Sequence, residues 1–485
     1  MLAYCLTFGI SLILSLGLTP MLIDLAERFN LVDQPDARKV HKNPIPRVGG
    51  IAIFFASVIT ILPLLCLPNI IGITFRESVL QIVALLVGSL MMFCLGLYDD
   101  IVRARVRTKL AVQLIAAIVV CASGVRIESI SLGDMHTIPL ESWGCILTIL
   151  WIVGITNAIN LIDGLDGLAA GIVSIACSFI AILSMWQGNV ILALIMLAII
   201  GSLGGFLVFN FHPAKIFMGD CGSLFIGFII ATSSVLTASK AETLVGIGIP
   251  ILVLGIPIFD TLFSILRRFL NRRGIMSPDR GHFHHRLIDL GFHQHHVAII
   301  AYVITLVVSG LGMFMLVSRS TLSIWILTSC LLLFILIFRC IGAIRIREIL
   351  ESIQKRNTIN QKQRNEKKIF EEASLSFRGV QTLEQWWERL CMAADALDIS
   401  QLSLKSCMPG HQLNNLYQWG KHEYSSQSFH EQIHIHLPIR DKDHNVSHVI
   451  ELDIEPNGSI ENAGHRATLF ARLTEEHSLE SLSLS

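Results

Sequence analysis

Four polar side chains recur at every third position in a stretch that lies between two long apolar segments, from Asn157 to Gly171. The four are Asn157, Asn160, Asp163 and Asp166. At about 100° per residue, an unbroken α-helix would spread them over roughly 180°, so we expect Gly164 and Gly167 to break the helix. Amide and carboxylate oxygens suit a hard cation such as Mg²⁺, with Mn²⁺ as the alternative.

Acidic residues also stand at the ends of other apolar segments. Asp99 and Asp100 are adjacent at the end of one, and Asp220 lies between Gly219 and Gly222 at the start of another. Adjacent carboxylates repel each other, so we expect cationic side chains or a metal beside the pair. A helix start with free N–H groups favours a phosphate, whereas a helix cap and a solvated helix end are the plainer interpretations.

Cationic residues concentrate in two loops. Residues 33–50 carry Lys42 and Arg47 among prolines, a composition that fits either phosphate binding or a simple topology signal. Residues 267–296 hold six basic residues and six histidines. The residues of interest there are His282, His284, His285 and Arg286. A transition-metal cluster is one interpretation, but no cysteine or second ligand group accompanies it, and histidine donors to a diphosphate or a proton-handling role fit better.

Composition identifies the setting of these groups. The chain has 485 residues, 53% of them apolar, and a mean hydropathy of +0.63, which excludes an ordinary soluble enzyme. Its formal net charge is zero, and nothing predicts a nucleic-acid partner. The eleven cysteines include no Cys-x-x-Cys pair, so we predict packing residues rather than disulfides or a zinc site.

Eleven apolar segments approach the roughly 20 residues that a membrane span needs. They are residues 2–23, 48–67, 79–97, 109–124, 143–160, 168–186, 189–209, 222–238, 244–265, 297–317 and 321–341. Seventeen Lys and Arg residues lie in the loops on one side and four on the other, which predicts a cytoplasmic location for the first side. All the polar motifs then lie on the cytoplasmic side, and a short hairpin near residues 127–132 lies outside.

The chain is therefore predicted to be an all-α polytopic membrane protein with about 11 transmembrane helices, followed by a cytoplasmic α+β domain. Residues 1–341 would form the membrane domain, 342–378 a helical linker and 379–485 the small domain. In the last part, 382–397 and 462–477 are predicted helices, and 432–439 and 446–454 alternate like strands. This order resembles that of a GAF-type domain.

Over about residues 15–295 the motifs together resemble the polyprenyl-phosphate N-acetylhexosamine-1-phosphate transferases. The resembling motifs are Arg38-Lys-Val-His-Lys-Asn-Pro-Ile-Pro-Arg-Val-Gly-Gly50, Asp99-Asp100, Lys109-Leu-Ala-Val-Gln113, Asn157 to Gly171, Phe217-Met-Gly-Asp-Cys-Gly-Ser223 and Ser277-Pro-Asp-Arg-Gly-His-Phe-His-His-Arg286. His-x-His-His is similar to the branch that uses UDP-N-acetylglucosamine. The branch that uses UDP-N-acetylmuramoyl-pentapeptide has three successive histidines. Arg103 departs from the family, where a lysine often follows the acidic pair.

The resemblance implies transfer of N-acetylglucosamine-1-phosphate, or a related sugar phosphate, from a UDP-sugar to undecaprenyl phosphate in the bacterial inner membrane, with release of UMP. It implies Mg²⁺ ligands at Asp220 and Asn160. The implied catalytic residues are Asp99, Asp100, Asp163, Asp166 and His282. The implied substrate-binding residues are Lys42, Arg47, Lys109, Asn157, His284, His285 and Arg286. Phospho-N-acetylmuramoyl-pentapeptide transfer is an alternative, and a homo-oligomer is left open.

A multi-span transporter is the rival class, because transporters also combine many spans with polar interruptions. Their polar site lies near the membrane midplane between structural repeats. Here the polar motifs stand at span ends, and the sequence shows no inverted repeat.

Overall fold

The protein consists of two compact units, Met1–Ile349 and Leu350–Ser485. The division falls within the segment assigned above to a helical linker, and the three-part domain division stays a prediction. The computed structural model describes residues 1–29, 31–33, 44–66, 70–132, 136–238, 245–270, 281–318, 322–342, 346–407, 413–420, 432–440, 446–456 and 460–477.

Helices dominate the first unit. They are α1 (Leu2–Arg28), α2 (Gly50–Leu65), α3 (Ile70–Glu77), α4 (Val79–Val102), α5 (Val106–Ala122), α6 (Glu141–Ile162), α7 (Leu168–Trp186), α8 (Val190–Asn210), α9 (Gly219–Ala238), α10 (Val245–Val253), α11 (Gly255–Leu270), α12 (Phe283–Asp289), α13 (Gln294–Ser318) and α14 (Leu322–Cys340). Two short antiparallel pairs accompany them, β1 (Val32–Asp33) with β2 (Ile45–Pro46) and β3 (Ser129–Leu132) with β4 (His136–Pro139). The hairpin expected near residues 127–132 is confirmed.

Eight helices in the described part of the chain are long and apolar enough to cross a membrane: α1, α4, α6, α7, α8, α9, α13 and α14. The predicted count of eleven is not confirmed. Helices α2 and α5 are shorter, and the ninth predicted span is divided into α10 and α11. Pro257 lies in the first turn of α11, where its missing N–H costs no helical hydrogen bond, so the chain starts a new helix there.

The helix break expected at Gly164 and Gly167 is confirmed. Helix α6 ends at Ile162 and α7 begins at Leu168. Gly167 precedes α7 with φ +71°, a left-handed conformation that favours glycine. Its N–H donates to Oδ1 of Asn210 at 3.1 Å, and its carbonyl accepts from the Tyr302 hydroxyl at 2.6 Å. The four-residue polar repeat is therefore split between a helix and a tethered loop.

Helix α9 lies at the centre of the first unit, with nearly all its residues buried. Its first turn contacts α4 at the backbone, because a Cβ built on Gly96 would lie 2.2 Å from the Asp220 carbonyl oxygen. A Cβ on Gly50 of α2 would lie 2.1 Å from the Gly222 nitrogen. Backbone atoms cannot move aside as side chains do, so glycine at these positions sets how closely the helices pack.

Replacing Gly96 with alanine is expected to destabilise the first unit by about 1–3 kcal/mol, the usual cost of overpacking. Gly154 in α6 is the matched control, since a Cβ there meets no atom within 4 Å. Thermal unfolding of detergent-purified protein measures the effect, and Gly154→Ala should leave the melting temperature unchanged or slightly raised. Equal melting temperatures for the two variants would contradict the close α4–α9 contact.

The expectation that the cysteines serve only for packing is wrong for one pair. Cys121, at the end of α5, forms a disulfide with Cys145, at the start of α6. The two lie 24 positions apart without a recognisable pairing motif, and connectivity cannot be read from such spacing. Cys177 and Cys221 are buried free thiols, as packing residues would be.

The second unit combines helices with an antiparallel sheet. Its helices are α15 (Ile346–Ser376), which begins just before the boundary, α16 (Leu383–Ala396) and α17 (Ile460–Glu476). Its strands are β5 (Gln401–Cys407), β6 (Leu413–Gly420), β7 (Ile433–Arg440) and β8 (Val446–Ile454), in the order β6-β5-β8-β7. A core that includes Trp386, Leu404, Ile450 and Phe470 joins helices and sheet. The sequence had predicted all of these elements except β5 and β6.

Candidate active site

A cavity of about 1030 Å³ lies where several helices of the first unit end. The end of α4, the start of α5, the α6–α7 loop and the start of α9 all contribute to its wall. Its charged and histidine lining residues are Glu27, Asp33, Arg47, Asp99, Arg103, Lys109, Asp163, Asp166, His212, Lys215, Asp220 and His285. A position at helix ends differs from the midplane site expected of a transporter.

Two cations pair with three carboxylates at this wall and directly beneath it. Lys109 Nζ forms ion pairs with Asp99 and with Asp220, the latter at 2.8 Å from Oδ2. Arg47 lies 3.2 Å from Asp100 Oδ1 and 3.4 Å from Asp220 Oδ1. Asp220 is thus the carboxylate that both cations share. The cationic partners expected for the adjacent acids are Lys109 and Arg47.

Asp100 supports the site from beneath, since only 2% of its side chain is exposed. Its two carboxylate oxygens accept from the backbone N–H groups of Asp220 and Cys221, each at 2.9 Å. These donors belong to the first turn of α9, where negative charge is stabilised. The N–H groups that the sequence suggested for a phosphate therefore bind Asp100, which fixes α4 to the start of α9.

Asp163 and Asp166 occupy the loop between α6 and α7. Burial, followed by the nearby charges of Asp220 and Asp100, raises the pKa of Asp163 to about 7, and Arg47 offsets this only in part. Asp166 Oδ2 accepts from His212 Nδ1 at 2.8 Å and from the Ala214 N–H at 3.1 Å.

The sequence patterns did not predict His212 as a site residue. The one feature that could have indicated it is its position between the end of an apolar segment and a proline.

The two amides of the repeat lie elsewhere. Asn157 exchanges hydrogen bonds with Gln113 of α5, at 2.7 and 3.3 Å, and also donates to the Val153 carbonyl. Asn160 lies in the last turn of α6, and its carbonyl accepts from the Asp163 N–H. Neither amide is among the described residues that line the cavity.

The histidine motif around α12 separates into three environments. His282 Nδ1 lies 2.9 Å from Asp260 Oδ2, and both side chains are buried. His284 packs on the α6–α7 loop, where its Nε2 would lie 2.9 Å from a Cβ on Gly164. Burial, and then the neighbouring His285, lower the pKa of His284 to about 3, so this ring is neutral at physiological pH. His285 reaches the cavity wall.

Two buried nitrogens of this motif lack a hydrogen-bond partner among the described residues. They are Nδ1 of His284 and Nε of Arg286. Lys42, the remaining predicted substrate ligand, lies outside the described residues.

The described residues contain no group of three or more His, Cys, Asp or Glu side chains arranged to hold a metal ion. Mg²⁺ needs fewer protein ligands, because it is commonly bound by one or two carboxylates and completes its shell with substrate phosphates and water. Asp220 and Asp163 both present carboxylates at the cavity wall. Burial is the main cause of the raised pKa of Asp163, and the charges of Asp220 and Asp100 add to it, so a cation beside these carboxylates would stabilise their ionised form. These residues fit a hard divalent cation.

Fold and site together define a multi-pass membrane enzyme with a charged cavity at its helix ends. The family model described as glycosyl transferase family 4 matches residues 82–238. A Bacillus subtilis (strain 168) protein named probable undecaprenyl-phosphate N-acetylglucosaminyl 1-phosphate transferase is 42% identical over 310 residues, which cover 64% of this chain and 84% of the relative. The chain belongs to glycosyl transferase family 4, and the resemblance found in its motifs is confirmed.

Further relatives represent two named activities. A Mycobacterium leprae (strain TN) decaprenyl-phosphate N-acetylglucosaminephosphotransferase is 35% identical, with 58% of this chain and 75% of the relative covered. A Geobacillus kaustophilus (strain HTA426) phospho-N-acetylmuramoyl-pentapeptide-transferase is 31% identical, with 64% and 97% covered. The second activity belongs to a more distant member of the same family.

Proposed function

We propose that this chain transfers N-acetylglucosamine-1-phosphate from UDP-N-acetylglucosamine to undecaprenyl phosphate and releases UMP. The product would be the first lipid-linked sugar of a surface polysaccharide. The single observation that carries the proposal is the cavity in which Lys109 and Arg47 converge on Asp220 beside Asp99. The 42% identical relative named for this activity supports the choice of sugar and lipid.

In this reaction an oxygen of the lipid phosphate attacks the sugar-bound phosphorus of the UDP-sugar. A phosphorus–oxygen bond forms to the lipid, and the bond to the bridging diphosphate oxygen breaks, so that this oxygen leaves with UMP. Acceptor and donor are both anionic, and their approach must be compensated by positive charge. Lys109 and Arg47 supply only part of that charge, because Asp99, Asp100 and Asp220 pair with them and hold them at fixed positions. A divalent cation would supply the rest.

A bound Mg²⁺ would neutralise charge on the diphosphate and orient it for attack. Asp220 would hold it, with Asn160 as the second ligand that the family resemblance implies. Asp163, which lines the cavity, offers a further carboxylate.

The remaining residues would position the substrates. Asp99 would orient or deprotonate the acceptor phosphate, and Asp163 and Asp166 would serve the nucleotide side. His282, His284, His285 and Arg286 would bind the diphosphate, and the unpartnered nitrogens of His284 and Arg286 support this role. Apolar side chains exposed on the spans would contact the polyprenyl tail.

The proposed setting is the bacterial inner membrane, crossed about eleven times. The charge bias of the loops supports a cytoplasmic cavity and a cytoplasmic second unit.

We expect UMP release from UDP-N-acetylglucosamine that requires both polyprenyl phosphate and Mg²⁺ or Mn²⁺, because a transferase needs its acceptor and the anionic groups need a cation. Purified protein is assayed with a panel of UDP-sugars that includes UDP-N-acetylmuramoyl-pentapeptide. Release of UDP, or turnover that a chelator leaves unchanged, would contradict the proposal. Preference for the pentapeptide substrate would assign the second named activity instead.

A further inference from the structure

His212 is a cavity-wall residue that the mechanism above does not use. It follows α8, and its Nδ1 lies 2.8 Å from Oδ2 of Asp166, a residue of the α6–α7 loop. The Ala214 N–H donates to the same oxygen at 3.1 Å. Two donors from one short segment therefore fix one oxygen of the Asp166 carboxylate.

The segment that carries these donors is itself tied down. The Lys215 N–H donates to the Phe209 carbonyl at 2.8 Å, and Asn210 Nδ2 donates to the Ile216 carbonyl at 2.8 Å. Asn210 also accepts from the Gly167 N–H. The segment after α8 and the loop that holds Asp166 are thus joined at several points, so His212 meets Asp166 in a defined geometry.

The other oxygen of Asp166 is left available. In the part of the chain that the structure describes, no hydrogen bond reaches Oδ1 of Asp166, although this half-buried residue lines the cavity. A carboxylate oxygen accepts hydrogen bonds, so its partner must carry an N–H or O–H group. An ionised lipid phosphate has none. The hydroxyl and imide groups of a nucleoside, or the hydroxyl groups of a sugar, provide such donors.

We propose that His212 is a positioning residue that orients Asp166 toward the nucleoside or sugar of the donor substrate. The inference rests on the function proposed above and adds to it the residue that sets affinity for the UDP-sugar. Loss of His212 should weaken binding of the UDP-sugar without altering the phosphates that react. The apparent KM for the UDP-sugar is therefore the sensitive quantity.

Two substitutions separate positioning from simple packing. His212→Ala removes the donor, whereas His212→Asn retains an N–H close to the place of Nδ1. His212→Ala should raise KM for UDP-N-acetylglucosamine about tenfold or more, because a displaced Asp166 carboxylate would lose its charged hydrogen bond to the substrate. Its kcat and its KM for polyprenyl phosphate should change by less than about twofold, and His212→Asn should restore most of the affinity.

His293→Ala is the matched control. His293 is exposed and stacks on His295, which in turn stacks on His212, but it has no contact with Asp166 among the described interactions. It should behave as wild type. The double variant His212→Ala with Asp166→Ala should be no weaker than Asp166→Ala alone, because His212 acts through that carboxylate.

Unchanged kinetics in His212→Ala would overturn the assignment, and so would a fall in its kcat at constant KM. A His212→Asn variant with the same raised KM as His212→Ala would also overturn it. Calorimetric binding of UMP then identifies the group that Asp166 contacts. Weaker UMP binding by His212→Ala indicates the nucleoside, and unchanged UMP binding with a raised KM indicates the sugar. If wild-type protein releases no UMP, the proposed function fails. The positioning role fails separately if His212→Ala binds both UMP and UDP-N-acetylglucosamine as tightly as wild-type protein does.

Discussion

Replacing Asp220 with alanine is expected to lower UMP release by about a thousandfold or more. Asp220 is the carboxylate on which Lys109 and Arg47 converge and the candidate ligand of the divalent cation. Loss of roughly 4 kcal/mol of charge stabilisation in the transition state corresponds to this factor. Initial rates over a range of Mg²⁺ concentrations measure it.

Asp289→Ala is the control for the Asp220 variant, because Asp289 is an exposed carboxylate at the end of the short helix α12. It should keep wild-type rates. Thermal unfolding and gel filtration establish that the Asp220 variant inserts and folds. Full turnover of that variant at raised Mg²⁺ would show that Asp220 is not an essential ligand.

Replacing Asp99 with asparagine should reduce kcat by about 10²- to 10⁴-fold with little change in apparent affinity, the range typical for loss of a general base. Asp99 also forms an ion pair with Lys109 and accepts from the Ala104 N–H at 2.7 Å. Asparagine can still accept from Ala104 but no longer offers charge to Lys109. The substitution therefore tests charge rather than shape.

A double variant distinguishes proton transfer from positioning of Lys109. If Asp99 acts only by holding Lys109, Asp99→Asn combined with Lys109→Ala should be no slower than Lys109→Ala alone. If Asp99 also handles a proton, the double variant should lose a further factor. An unchanged kcat in Asp99→Asn alone would move the role to another residue.

The sequence predicted the structural features that depend on local residue patterns. Apolar length predicted the eight long apolar helices, although not the number of spans. Gly164 and Gly167 predicted the end of α6 because glycine tolerates conformations that end a helix. The order of the motifs along the chain was enough to identify the family. The roles of the individual site residues stay predictions.

Contacts between distant segments could not be predicted in this way. The pairs Asp166–His212 and Asp260–His282 depend on how helix ends meet in space, and neither has a local pattern. The division of the ninth apolar segment into α10 and α11, near Leu254, could not be predicted from hydropathy, because the segment is apolar on both sides of the break. Strand β5 alternates over only Leu402 and Leu404 before the polar pair Lys405 and Ser406, and in β6 the successive residues Asn414 and Asn415 interrupt the alternation.

The disulfide between α5 and α6 indicates which side of the membrane each end of these two helices faces. Cys121 follows Lys109 along α5 by about 18 Å, and Cys145 precedes Asp163 along α6 by about 27 Å, so the bridge lies far from the cavity. Disulfides persist in oxidising surroundings and are rare in the reducing cytosol. An oxidised bridge at one end and a cavity at the other support the orientation proposed above, in which the cavity faces the cytosol, and they do so independently of the loop charges.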